Sequence, residues 1–156
     1  YLLKPKKNEA GEYIFALGAR QPRKNIKRLV SAHEKFAKKY NLPKLIVAGE
    51  GGIGYVSDQK LVDLLANAKC LVYPSIQEGF GLNILAAFHL KVPVACSDIP
   101  VFHEVAGDAA TYFDPYDEES IAQAISKAKV KPNQLNNFSW DKTAMETMKI
   151  YNMLLS

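Results

Sequence analysis

The chain has 156 residues, 48% of them apolar, which suits one domain with a sizeable core. Its formal net charge of +4 is uneven: Lys4, Lys6, Lys7, Arg20, Arg23, Lys24, Lys27 and Arg28 crowd the first quarter, a bias that attracts phosphates or an anionic membrane surface. No aromatic residues interleave the Lys4–Lys7 run, which argues against nucleic acid, and no stretch has the length needed to span a membrane.

Tyr1-Leu2-Leu3 carries no signal-peptide pattern and reads as a cut within a longer protein. Tyr13 to Gly18 is a short apolar run and predicts a strand. Ile26, Leu29, Val30, His33, Phe36, Ala37 and Tyr40 then recur at helical spacing, with Pro43 as the stop. Lys44 to Gly49 is a second strand. Leu61, Leu64, Leu65 and Ala68 mark a helix that Ser57 or Asp58 caps. Cys70 to Tyr73 is the next strand. Gly81 to Leu90, apolar nearly all round, predicts a buried helix. Val92 to Cys96 is a strand, Val101 to Val105 a short helix, and Ala110 to Phe113 the last strand. A helix follows with Asp117, Glu118 and Glu119 in its first turn, where negative charge is favoured. Lys131 to Asn137 reads as a polar linker, and Trp140, Ala144, Met148, Tyr151 and Leu155 give a last amphipathic helix, with Trp140 and Tyr151 as docking residues. Cys70 and Cys96 lie inside strands with no cysteine or histidine partners in sequence, so they read as buried thiols in a reducing compartment.

Strands and helices alternate, and the strands are continuous apolar runs. That pattern predicts an α/β domain with a doubly wound, Rossmann-like parallel sheet and helices on both faces. One stretch breaks the rhythm. Glu50 to Tyr55 is too short to hold a crossover helix between strands. Either the protein lacks a crossover there or residues are missing between Gly51 and Ile53; the second is favoured.

Ligands in such domains bind beyond the C-terminal ends of the strands. The turn Ser75 to Gly81 opens a helix, where free amides and glycines form an anion site. Glu78 at its mouth suits hydroxyl groups, such as those of a sugar; residue types alone favour the plainer reading, a helix cap with glycines that shape a turn. The turn after the first strand presents Arg20, Arg23 and Lys24, cations that match a diphosphate. Cations are unfavourable at a helix N-terminus unless an anion joins them. Asn25 is a candidate cap for that helix. His33 reads as packed, His89 as lying near a helix C-terminus, and His103 and Glu104 as either lining the site or surface residues. There is no Asp-x-Asp, and no metal is required.

The order of motifs is similar to the C-terminal domain of retaining glycosyltransferases of family 4, which have the GT-B fold. The resemblance rests on Gly18-x-Arg20-x-x-x-Lys24-Asn25, Val47-Ala-Gly49-x-Gly51, Gly54-Tyr-Val-Ser-Asp58, Pro74-Ser75-x-x-Glu78-Gly-Phe-Gly-Leu82, Pro93-Val-Ala-x-Ser97-Asp98-x-Pro100 and Glu104-Val-Ala-Gly-Asp-Ala-Ala110. It runs from about Tyr13 to Tyr151. The resemblance implies that Arg20 and Lys24 hold the donor diphosphate. It places the backbone of Gly79, Phe80, Gly81 and Leu82 near the distal phosphate and sugar, and Glu78 on the donor sugar. The base would lie by Tyr55, Val56 and Ser57. Family members have a helix and a strand start where Gly51 and Gly52 stand.

The family's second glutamate, which holds the ribose, is Ala86 here, and Asn83 replaces a frequent proline. Residues 1–156 would then be a single nucleotide-sugar-binding domain, the C-terminal half of a two-domain enzyme. The enzyme uses no cofactor and takes a UDP-sugar or GDP-sugar as donor. The acceptor, a glycan or lipid-linked glycan, is held by a partner domain outside this sequence. The implied location is cytoplasmic, with peripheral contact to a membrane surface left open. The alternative is a degenerate, non-catalytic domain that binds a nucleotide or sugar phosphate. A phospho-receiver domain needs an acidic cluster after the first strand, where this chain has Arg20.

Overall fold

The computed structural model describes residues 4–6, 11–18, 21–131 and 138–155. Arg20 and most of the expected linker, residues 132–137, lie outside them. Five strands form one parallel sheet: β1 (Tyr13–Leu17), β2 (Lys44–Ala48), β3 (Cys70–Tyr73), β4 (Val94–Ser97) and β5 (Thr111–Phe113), in the order β2-β1-β3-β4-β5. Every residue of β3 and β4 is buried, which explains their unbroken apolar runs. The free thiols of Cys70 and Cys96 belong to this core.

The helices are α1 (Ile26–Tyr40), α2 (Asp58–Ala66), α3 (Leu82–His89), α4 (Pro100–Ala106), α5 (Glu118–Lys127) and α6 (Trp140–Leu155). α1 and α5 cover one face of the sheet through Ile26, Leu29, Ile121 and Ile125. α2, α3 and α4 cover the other through Leu65, Ile84, Phe88 and Phe102. Each fully buried side chain of this size contributes about 1.5–3 kcal/mol. The two faces therefore hold the sheet from both sides, as the sequence pattern predicts.

Local chemistry sets the helix ends. Ser57 Oγ accepts from the Lys60 amide, and Asp117 accepts from the Glu119 and Ser120 amides. Asn41, in the left-handed region at φ 49°, ends α1 two residues before Pro43. Asn25 does not cap α1: its side-chain amide donates to the Pro115 carbonyl, and its oxygen accepts from Arg28. α3 is not buried all round. Ile84, Ala87 and Phe88 face the core, whereas Leu82, Ala86 and His89 are exposed. Trp140 and Tyr151 are exposed as well, because no residue of α6 is buried. Among the described residues, no helix is long and apolar enough to cross a membrane.

The stretch after β2 needs no crossover of its own, because Val56 forms no strand and α2 carries the chain from β2 to β3. A tight turn spans it. The Gly49 amide donates to Gly54, and the Ile53 amide donates to the Val47 carbonyl at 2.9 Å. Gly52 makes this closure feasible: a Cβ there would lie 1.9 Å from the Val47 oxygen. Gly52→Ala must therefore open the turn, and it should lower stability by about 1–3 kcal/mol. A urea unfolding curve checks this, and an unchanged midpoint would refute it.

Candidate functional site

The chain leaves β1 toward β2 on one side and returns through α2 to β3 on the other. The winding direction thus reverses between β1 and β3, the position where open parallel sheets form a crevice. The turns after these two strands meet there. Pro22 starts a single 3-10 turn over Pro22–Lys24, and the Arg23 carbonyl accepts from the Ile76 amide at 2.8 Å. That bond fixes the cationic turn after β1 against the Pro74–Gly81 turn after β3.

Glu78 is the centre of the contact. Its Oε1 accepts from Lys24 Nζ at 2.6 Å and from Ser75 Oγ at 2.7 Å. Its Oε2 accepts from Arg23 Nη1 at 3.0 Å. The same Nη1 donates to the Gln77 carbonyl at 3.2 Å. The Glu78 side chain is only 9% exposed, that of Lys24 17% and that of Arg23 40%. Lys24 also sits over the Tyr73 ring, with its nitrogen 5.2 Å from the centroid. Ser75 is fully buried beneath the pair. A carboxylate so sheltered stays charged only because these donors surround it.

Burial pushes the Glu78 carboxyl up, but the hydrogen bonds from Lys24 and Ser75, the Lys24 charge and the Arg23 contact together hold it below the usual glutamate range. Burial also raises the Tyr73 hydroxyl. Lys24 and Glu78 were candidates on sequence grounds, but for different parts of a ligand; the structure joins them. Arg23, Ser75 and Tyr73 join the same cluster. The signal for Ser75 was its spacing three residues before Glu78. Nothing in the sequence said that Arg23 turns toward a carboxylate.

The other candidates border this cluster. Gly81 stands before α3 at φ 105° with no side-chain cap, so no side chain closes off the start of α3. The Ile84 amide turns back onto the Gly81 carbonyl at 2.9 Å. A Cβ on Gly81 would press the Phe102 ring at 3.1 Å, so glycine is needed for both conformation and space. Gly79 has open space where a side chain would be. Phe80 meets Phe138 edge to face at 5.2 Å, and with Leu82 (65% exposed), Leu85 and Trp140 it lines an apolar groove. Val56 and Ser57 lie one strand further out, past β2. Elsewhere, His33 bonds the Pro43 carbonyl. His103 bonds Asp98 at 2.6 Å and stacks on Tyr112, and Glu104 is exposed beside it. Among the described residues, no group of three or more histidine, cysteine or acidic side chains is placed to hold a metal.

The Glu78 contacts give a pH signature. A carboxyl lowered by folding adds stability that is complete above the usual glutamate range and is lost as pH falls through its lower folded value. Between about pH 5 and 3, the parent chain should lose more stability than Glu78→Gln. Urea unfolding across that window measures the difference, and parallel curves would contradict it.

The profile of the family described as glycosyl transferases group 1 matches residues 53–143. The O-antigen chain mannosyltransferase RfbU of Salmonella typhimurium is 35% identical over 153 residues, which cover 85% of this chain and 43% of that protein. The O-antigen chain mannosyltransferase B of Escherichia coli is 31% identical over 175 residues, covering 91% and 46%. The chain thus spans less than half the length of these relatives. The second alignment is longer than this chain, so that relative has residues within the aligned span that are absent here. A structure of an S. aureus TarM variant in complex with fondaparinux, alpha-GlcNAc-glycerol and UDP superposes with a TM-score of 0.66 at 22% identity, over 79% of this chain and 29% of that one. This last likeness concerns the fold.

Proposed function

Because the chain belongs to the glycosyl transferases group 1 family, we propose that it is the donor-binding domain of an enzyme that transfers a sugar from a nucleotide-diphosphate sugar with retention of configuration. The observation that carries this reading is the Glu78–Lys24–Arg23 cluster at the β1/β3 reversal, beside the uncapped start of α3. A diphosphate brings negative charge to the cations and the helix start, each charge-assisted bond contributing about 1.5–3 kcal/mol in a sheltered site. Lys24 and Arg20 hold the diphosphate, the amides at Gly79 to Leu82 meet its distal end, and Glu78 orients the sugar hydroxyls. The base lies toward Val56 and Ser57.

In the transfer, the bond between the anomeric carbon and the distal phosphate oxygen breaks, and its electron pair leaves with the diphosphate. The acceptor oxygen bonds the anomeric carbon on the same face, and its proton passes to the departing phosphate. Preorganised cations stabilise the charge that develops on the leaving group. No cofactor takes part. The mannosyltransferase relatives support a hexose; the donor carries it as a UDP-sugar or GDP-sugar, and the acceptor is a glycan or lipid-linked glycan. The acceptor belongs to a second domain, for which the relatives' greater length leaves room. The proposed location is cytoplasmic, with contact to a membrane surface left open.

Ala86 favours a second reading. It is exposed on the same face of α3 as Leu82, where the family resemblance puts a ribose-binding carboxylate. A domain without that contact binds nucleotide more weakly, or has kept binding and lost turnover.

Calorimetric titration with UDP, GDP and their hexose derivatives tests the first reading. The parent chain should bind at least one of them. Lys24→Ala should weaken binding about tenfold or more, the equivalent of one charge-assisted bond. Absence of binding at millimolar ligand would overturn the donor-site reading. The 156-residue chain alone should not transfer sugar, and detection of turnover would show that it holds the acceptor site too.

A further inference from the structure

The two oxygens of Glu78 are held differently. Oε1 carries the shorter contacts, from Lys24 and the fully buried Ser75. Oε2 carries Arg23, at a longer distance and from a much more exposed side chain. Both Arg23 contacts run through Nη1, so the guanidinium meets the carboxylate with one nitrogen instead of its planar fork. Among the described residues, Nε and Nη2 of Arg23 have no partner. Arg23 and Lys24 together outnumber the one carboxylate, so the cluster is net positive before any ligand arrives.

We propose that Arg23 is a third phosphate-binding residue of this site, held in reserve by Glu78: a nucleoside diphosphate takes the guanidinium away, and the freed Oε2 accepts a sugar hydroxyl. The proposal rests on the donor-site reading and adds a residue that the family resemblance does not assign. The exchange is favoured on both sides. A single contact of a part-exposed arginine with a carboxylate is weak. A phosphate oxygen pair matches the whole fork and carries more charge. Lys24, sheltered over Tyr73, stays on Oε1 and keeps the carboxylate in place.

Specificity follows from the exchange. A free diphosphate removes Arg23 and leaves Oε2 without a donor in a sheltered place. An intact nucleotide sugar removes Arg23 and supplies a hydroxyl to the same oxygen. Glu78 therefore works against the product and for the donor, through competition for one arginine.

The test is a double-mutant cycle on the 156-residue chain, titrated calorimetrically with GDP and UDP. Glu78→Gln should bind the diphosphate several-fold tighter than the parent, because Arg23 is released in advance. In the Arg23→Gln background the same Glu78→Gln change should give no gain. If Arg23→Gln does not fold, Arg23→Lys takes its place; it lacks the fork, so it too should reduce the gain. No gain from Glu78→Gln, or an equal gain with and without Arg23, would overturn the proposal while leaving the donor site standing. Binding by none of the proteins would overturn the donor-site reading itself, and this proposal with it.

Discussion

The arrangement depends on a carboxylate that is nearly buried and yet charged. Glu78 lies at the bottom of the crevice between the turns after β1 and β3, and it remains ionised there because Lys24, Ser75 and Arg23 donate to it. Removing Lys24, the more sheltered cation, would leave that charge with fewer donors and should cost more than breaking a surface pair. The contact therefore also joins two loops that the backbone links through the Ile76 amide and the Arg23 carbonyl. One carboxylate thus shapes the crevice and sets its charge.

The sheet order explains why this point is available. The chain must cross β1 to travel from β2 to β3, so α1 and α2 fall on opposite faces and leave no helix over the gap between the two turns. Group 1 glycosyl transferases share this α/β layer, one half of a GT-B fold. Family membership supports glycosyl transfer as the chemistry. The residues at the reversal are what a proposal about donor binding has to be built on.

Much of the fold was legible because it follows from periodicity. The apolar runs at Tyr13, Lys44, Cys70 and Val92 became parallel strands, and of the helical spacing from Ile26 to Tyr40, Ile26 and Leu29 lie on the buried face of α1, with Ala32 beside them. The exposure of α3 was not legible. Its composition is apolar throughout, and only the neighbouring helices decide which side is covered; Leu82 and Ala86 fall on the uncovered side. The shape of the stretch after β2 was not legible either: Gly52 lets the backbone close onto Val47, a close approach that no spacing rule encodes. At the site, residue types indicated the ligand chemistry of Lys24 and Glu78. Their contact with each other depends on the strand order, which the sequence pattern alone left open.

α6 has a consequence for how the molecule holds together in time. A helix of 16 residues with none of them buried draws on its own hydrogen bonds and little else, and isolated helices of that length are marginal in water. Trp140, at 85% exposure, touches the rim of the apolar groove but does not fill it. Two units of very different persistence therefore share one chain. In this chain by itself, the amides of α6 should exchange with solvent faster than those of the five-stranded core.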